Sequence, residues 1–308
     1  MIPCRAMALS LVASLAACGG EDEDAAAQVE TIVVADVGFA TPESVRHDSV
    51  ADVYLVSNIN GPPAEEDGNG FISRLSPDGQ VEQLKWVDGA AEGVTLHAPK
   101  GMGISGDTLY VADIDCVRRF VRTTGAPAGE ICNFQGATFL NDIAVDQNGT
   151  LYVTDTGLNP DFSPSGSDAV WRFTPAGQTE RIVQGERLGQ PNGIAFNDQD
   201  AFIVTFGTGE IFQLGATGER LVVLPGDGNR QLDGIEFTNE GSYLYSSWGD
   251  SAVYQVDAAG ATAVVLESVE SPADIGYDAT RSRVLVPLFT SNQVIIAEVT
   301  PSAPLPVF

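Results

Sequence analysis

The sequence predicts an all-β fold, a six-bladed β-propeller closed by its N-terminal strand. Three observations carry this reading. A short motif recurs six times: Pro42-Glu43-Ser44-Val45, Pro99-Lys100-Gly101-Met102, Leu140-Asn141-Asp142-Ile143, Pro191-Asn192-Gly193-Ile194, Leu232-Asp233-Gly234-Ile235 and Pro272-Ala273-Asp274-Ile275. Matching positions lie roughly 40 to 57 residues apart, a spacing typical of propeller blades or repeat arrays. Between the motifs, Val-, Ile-, Thr- and Tyr-rich runs alternate with turn signals, as in an antiparallel meander. The last unit, finally, has only three strand runs, while one unassigned run precedes the first unit.

Taken in order, residues 1–17 read as an export signal: Arg5, an apolar run from Ala6 to Ala17, and a small-residue site. Leu15-Ala16-Ala17-Cys18 resembles a bacterial lipobox, which makes Cys18 the candidate for lipid attachment; an ordinary signal peptide containing a cysteine is the alternative. Gly19 rather than an aspartate after the cysteine points to the outer membrane, by the habit of such anchors. Residues 18–28, with Glu21-Asp22-Glu23-Asp24 and three alanines, have the composition of an acidic flexible tether. The propeller is expected over 29–300 and a tail over 301–308, where proline-rich Pro301 to Pro306 ends the pairing.

Each unit reads as four strands. In the third these are Asp142–Val145, Leu151–Thr154, Ala169–Phe173 and Glu180–Val183, with Pro175-Ala176-Gly177 as the last turn. Equivalent turns are Pro77-Asp78-Gly79, Ala216-Thr217-Gly218 and Ala258-Ala259-Gly260. The final unit offers Asp274–Tyr277, Arg283–Leu288 and Gln293–Val299. Its missing strand is most simply Glu30–Val34, which would close the ring and remove two open sheet edges. Cys116 and Cys132 flank the turn Thr123 to Pro127 and would face each other across a hairpin. Export permits a disulfide there, although cross-strand geometry is demanding; two free thiols are the other reading.

The same topology selects a functional face. The motifs lie where each innermost strand begins, and the two longest insertions, Ile59 to Asn69 and Thr156 to Ser167, open on that face. If six inner strands converge on one axis, Glu43, Asn141, Asn192 and Asp233 meet at its centre. Two carboxylates and two amide oxygens form the hard set that Ca²⁺ accepts, another divalent cation being the alternative. With His47 and His97 as the only histidines, the sequence argues against a histidine-rich zinc site. Turn chemistry is the bland account of Asn-Gly and Asp-Gly, yet ordinary copies such as Asp78-Gly79 join neighbouring strands, whereas these four begin inner strands.

Lys100 holds the equivalent place in the second motif. It could act as a neutral base, stabilise an oxyanion, replace the metal by pairing with Glu43 and Asp233, or turn out to solvent. The second strands end at Asn58, Asp113, Asp155, Phe206, Trp248 and Phe289. Of these, Asp113 and Asp155 are the candidate substrate contacts and Trp248 a flat wall, with the other aromatics assigned to packing between blades. His97 is a candidate rim residue.

At these positions the chain resembles the senescence-marker-protein/gluconolactonase (regucalcin-like) family of six-bladed propellers, to which paraoxonases and diisopropyl fluorophosphatase are related. The resemblance rests on Pro42-Glu43, Leu140-Asn141-Asp142, Pro191-Asn192-Gly193 and Leu232-Asp233-Gly234. It implies a calcium-dependent hydrolase of lactones or related esters, with Glu43, Asn141, Asn192 and Asp233 as ligands and Asp233 as general base. Lys100 departs from the family pattern; paraoxonases carry a histidine there. It joins Asp233 as a candidate catalytic residue.

A formal net charge of −27, from 42 acidic and 15 basic residues, argues against nucleic acid or an anionic membrane surface as partner. Contact with a membrane is expected only through the N-terminal lipid, on an exported, monomeric protein of the outer membrane or periplasm. The rival class is a non-enzymatic propeller that binds a ligand or a protein. A strictosidine-synthase-like condensing enzyme is a third option, disfavoured by the oxygen ligands.

Overall fold

The computed structural model describes residues 31–197 and 200–299; the signal, the tether, Cys18 and the tail fall outside them. Six four-stranded antiparallel sheets make up the described chain, with one 3-10 turn at Glu186–Leu188. Blade one is β2 (Pro42–Asp48), β3 (Val53–Asn58), β4 (Phe71–Leu75) and β5 (Val81–Asp88). Blade two is β6 (Pro99–Ser105), β7 (Thr108–Asp113), β8 (Cys116–Val121) and β9 (Pro127–Ile131). Blade three runs β10 (Leu140–Val145), β11 (Leu151–Asp155), β12 (Ala169–Phe173) and β13 (Thr179–Gln184). Blade four runs β14 (Pro191–Phe196), β15 (Ala201–Thr205), β16 (Ile211–Leu214) and β17 (Arg220–Leu224). Blade five runs β18 (Leu232–Phe237), β19 (Tyr243–Ser247), β20 (Ala252–Val256) and β21 (Thr262–Glu267).

Blade six holds β22 (Gly276–Asp278), β23 (Arg283–Leu288) and β24 (Gln293–Glu298), and β1 (Thr31–Val34) completes it. Thr31 to Val34 pair with Ala297 to Val294 in register, so the N-terminal strand closes the ring. The innermost strand of this blade starts two residues later than the sequence suggests. Its first part is spent elsewhere: Asp274 N donates to Glu43 O at 2.9 Å and Val45 N to Asp274 O at 3.3 Å, a short parallel bridge to blade one.

Alternation along the strands buries each blade against the next. Leu55 and Ile72 of blade one pack with Met102, Leu109 and Phe120 of blade two. Across the closure, Val45 and Tyr54 pack with Leu285 and Ile296. The outermost strands face solvent, as the exposed Leu221 and Val222 of β17 show. In the turns joining third and fourth strands of blades one to five the glycine is left-handed, at φ +76, +71, +83, +90 and +86 for Gly79, Gly125, Gly177, Gly218 and Gly260. Cys116 and Cys132 are joined as a disulfide, with Cα atoms 4.4 Å apart.

Candidate functional site

Five motif residues meet on the floor of one cavity. Glu43, Lys100, Asn141, Asn192 and Asp233, all buried, line a space of about 390 Å³ on the axis. The blades direct them there by the same local device. In blades one to five the ladder between the first two strands shifts register just after the first motif residue. Such a bulge bends the strand and re-aims the side chain it carries. The third motif position explains the recurring glycines. A Cβ on Gly101 would lie 2.2 Å from Asp142 Oδ1, and one on Gly234 would lie 2.3 Å from Ile275 N. The inner strands approach too closely there for a side chain in every blade.

Four oxygens on this floor are buried without a hydrogen-bond partner: Glu43 Oε2, Asn141 Oδ1, Asn192 Oδ1 and Asp233 Oδ1. Burying a polar atom unpaired costs roughly 1–3 kcal/mol, so four acceptors on one floor are a set that a cation or a hydrogen-bond donor would suit. Asn141 shows how the arrangement is fixed. Its Nδ2 donates to Thr156 Oγ1 at 2.9 Å, and that hydroxyl donates to Pro191 O at 2.9 Å. The amide is thereby turned with its oxygen towards the cavity. Among the described residues no group of three or more His, Cys, Asp or Glu side chains forms a metal site. Two carboxylates with two amide oxygens remain a fit for a hard divalent cation.

The electrostatics agree. Burial pushes Glu43 well above the usual carboxylate range, and the charges of Asp233 and Asp274 push it further. Asp233 is raised to about 8, by burial first and by Asp142 second. The Trp248 indole N–H pulls it the other way, although it falls short of a hydrogen bond. Below the floor, Arg46 compensates Asp142 and Asp274, pairing with Glu236 across the channel and donating to Met102 O at 2.8 Å.

Lys100 does not take the place of a cation. Its Nζ donates to Pro63 O at 2.9 Å and Ala98 O at 3.0 Å. Among the described residues it forms no ion pair with Glu43 or Asp233. Nor does it turn to solvent. Burial lowers it to about 8, against the opposing pull of Glu43 and Asp113.

Asp113 and Asp155, expected at the substrate, are elsewhere. Asp113 is fully buried and accepts from Ala98 N at 2.7 Å, His97 N at 3.1 Å and Arg118 Nε at 2.7 Å. Asp155 accepts from Phe139 N at 2.9 Å and Gly157 N at 3.1 Å. Asn58 does the same for Ala40 N at 3.0 Å. These side chains clamp the loop that delivers each motif to the axis. His97 is likewise a clamp, its Nδ1 accepting from Gly68 N at 3.0 Å.

The reason is register. Asn58, Asp113 and Asp155 pair opposite the first motif residue, and their true counterparts are Thr205 and Ser247, with Leu288 bridging Pro272. Phe206, Trp248 and Phe289 lie one residue further on, and a one-residue step changes the face. All three line the cavity, Trp248 as the flat wall expected of it and Phe206 and Phe289 instead of packing between blades, together with Ile59 and Thr156 from the same position. Phe139, Leu158 and Phe162, which sequence reasoning missed, complete the wall.

A family model described as SMP-30/gluconolactonase/LRE-like region matches residues 69–276. Among solved structures, a gluconolactonase from Xanthomonas campestris aligns with a TM-score of 0.68 at 17% identity, over 89% of this chain and 90% of its own. A virginiamycin B lyase from Staphylococcus aureus aligns with a TM-score of 0.58 at 14% identity, over 89% of this chain and 100% of its own. At such identities the likeness is one of fold. A search of curated proteins finds no match.

Proposed function

We propose that this chain, which belongs to the SMP-30/gluconolactonase/LRE-like family, hydrolyses lactones or related esters with a divalent cation, Ca²⁺ foremost. The observation that supports this best is the convergence of four unpartnered oxygens, from Glu43, Asn141, Asn192 and Asp233, on one cavity floor. A cation held by them would polarise the substrate carbonyl. Asp233 takes the proton from the attacking water as the new C–O bond forms and the ring C–O bond breaks. Lys100 has three N–H groups and gives two to backbone carbonyls. The third is left for the departing ring oxygen, and a group with a pKa of about 8 can surrender a proton near neutrality. Thr156 orients Asn141, and the clamps at Asp113 and Asp155 hold the loops that precede Lys100 and Asn141. The lipobox-like Leu15-Ala16-Ala17-Cys18 supports reading this hydrolase as a lipid-anchored protein of a cell envelope.

The test is hydrolysis of a lactone panel by chelator-treated protein, with and without added Ca²⁺. Turnover that disappears on chelation and returns with the ion supports the reading. Turnover indifferent to both contradicts it.

A further inference from the structure

Above its polar floor the cavity is apolar on every side. Ile59 and Leu158 form one part of the wall, Phe139 and Phe162 another. Phe206, Trp248 and Phe289 form a third, with Trp248 5.5 Å from Phe206 and 5.1 Å from Phe289 between ring centroids. The polar groups beside them are already engaged. The Thr156 hydroxyl accepts from Asn141 and donates to Pro191 O, and Lys100 spends two of its three N–H groups on backbone. What remains is one Lys100 N–H and the unpartnered Trp248 indole N–H. Both stand at the floor, the indole beside Asp233, so the donors left over face the reacting group and not the walls. Among the described residues the walls offer a sugar's hydroxyls no side-chain partner beyond the second lone pair of Thr156 Oγ1.

Phe162 adds a separate observation. It is 54% exposed and held at φ +62, a conformation a bulky side chain adopts only under constraint. Its loop fixes it: Phe162 N donates to Asn159 O at 2.8 Å, Asn159 N to Ser163 O at 2.9 Å, and Asp161 accepts from Ser163 N at 3.0 Å. An aromatic ring thus stands at the mouth of the cavity on a hydrogen-bonded loop, its centroid 6.4 Å from that of Phe139.

We propose that the substrate carries an apolar tail: a lactone or ester with a long alkyl substituent lying along the aromatic wall, not a polyhydroxylated sugar lactone. The inference rests on the hydrolase reading for the ester group and on the cavity wall alone for the tail. A buried methylene contributes up to about a fourfold gain in affinity, whereas each hydroxyl sealed in without a partner costs roughly tenfold.

The experiment compares δ-lactones with unbranched alkyl tails of increasing length with a polyhydroxylated δ-lactone, using the Ca²⁺-loaded protein. In parallel, the lactam of the longest-tailed compound is titrated calorimetrically, since it binds without being hydrolysed. We expect kcat/KM to rise by up to about fourfold per methylene until the cavity is filled. Phe162→Ser should lower it roughly tenfold for the longest tail and by a smaller factor for each shorter one. Because Phe162 is exposed, that variant keeps its fold. Equal or better turnover of the polyhydroxylated lactone would overturn the inference, as would failure of the lactam to bind. Binding of the lactam with no lactone hydrolysed would uphold the apolar cavity and remove the hydrolase reading.

Discussion

The Nζ of Lys100 lies 4.4 Å from the ring centroid of Phe139. With two backbone carbonyls accepting from it, the ammonium forms no ion pair with Glu43 or Asp233 among the described residues, although its charge still lowers Glu43. In the proposed reading, lysine and cation would occupy neighbouring places. Lys100→Met, which keeps the apolar stem, should lower kcat by about 10- to 100-fold. Ca²⁺ affinity should be unchanged or tighter, because a positive neighbour is gone. Calorimetry and steady-state kinetics on the same preparation check both. Loss of Ca²⁺ binding in this variant would contradict the assignment.

Asp233→Asn keeps an oxygen at the same place but cannot accept a proton. Turnover should fall by at least about 100-fold, with the fold intact. In chelator the variant should melt higher than wild type near neutral pH, because a buried carboxylate raised to about 8 has been replaced by a neutral amide. Differential scanning calorimetry with a rate assay reads both.

The raised carboxylates give the metal-free protein a pH dependence of definite sign. Asp233 moves from 3.8 in the unfolded chain to about 8 when folded, so the folded state binds its proton more tightly. That stability is fully present below about pH 4 and is lost as pH rises through about 8. Glu43 and Asp274 shift in the same direction. The melting temperature in chelator should therefore fall across this window, and saturating Ca²⁺ should remove most of the fall. Self-repulsion of a chain at −27 also grows with pH. Asp233→Asn separates the two: it should flatten the slope, which surface charge alone would leave unchanged.

Asp113→Ala should behave as a structural lesion. It leaves Arg118 buried without this partner and frees the N–H groups of His97 and Ala98. Breaking a buried pair in this way costs about 3 kcal/mol, read as a lower urea midpoint. The remaining folded protein should lose lactone turnover through a displaced Lys100, which follows Ala98 by two residues. A stable variant with altered substrate preference alone would restore Asp113 to the substrate.

How much of this the sequence discloses depends on what repeats. Six copies of one motif fix the blade count, the closure by Thr31–Val34 and the residues at the axis, since copies of one element in one ring must point to one place. The third motif position was equally readable in retrospect: Gly101, Gly193 and Gly234 are small because the strands converge. What escaped was phase. Nothing in Asp155-Thr156 or Thr205-Phe206 says which member faces the cavity, because strand periodicity is two and a slip of one reverses the face. Aligning second strands on Asn58, Asp113, Asp155, Thr205 and Ser247 would have supplied it. The places of Phe139 and Phe162 come from loop paths, which no periodicity encodes.

The most direct test is calorimetric titration of Ca²⁺ into the exhaustively chelated protein, with wild type, Glu43→Gln and Lys100→Ala side by side. The account predicts one ion bound per chain in wild type and in Lys100→Ala, with affinity at least about tenfold weaker in Glu43→Gln. Binding by Lys100→Ala alone would contradict it, because the lysine would then hold the cation's place. An equally tight site in Glu43→Gln would contradict it too, because the ion would then lie elsewhere.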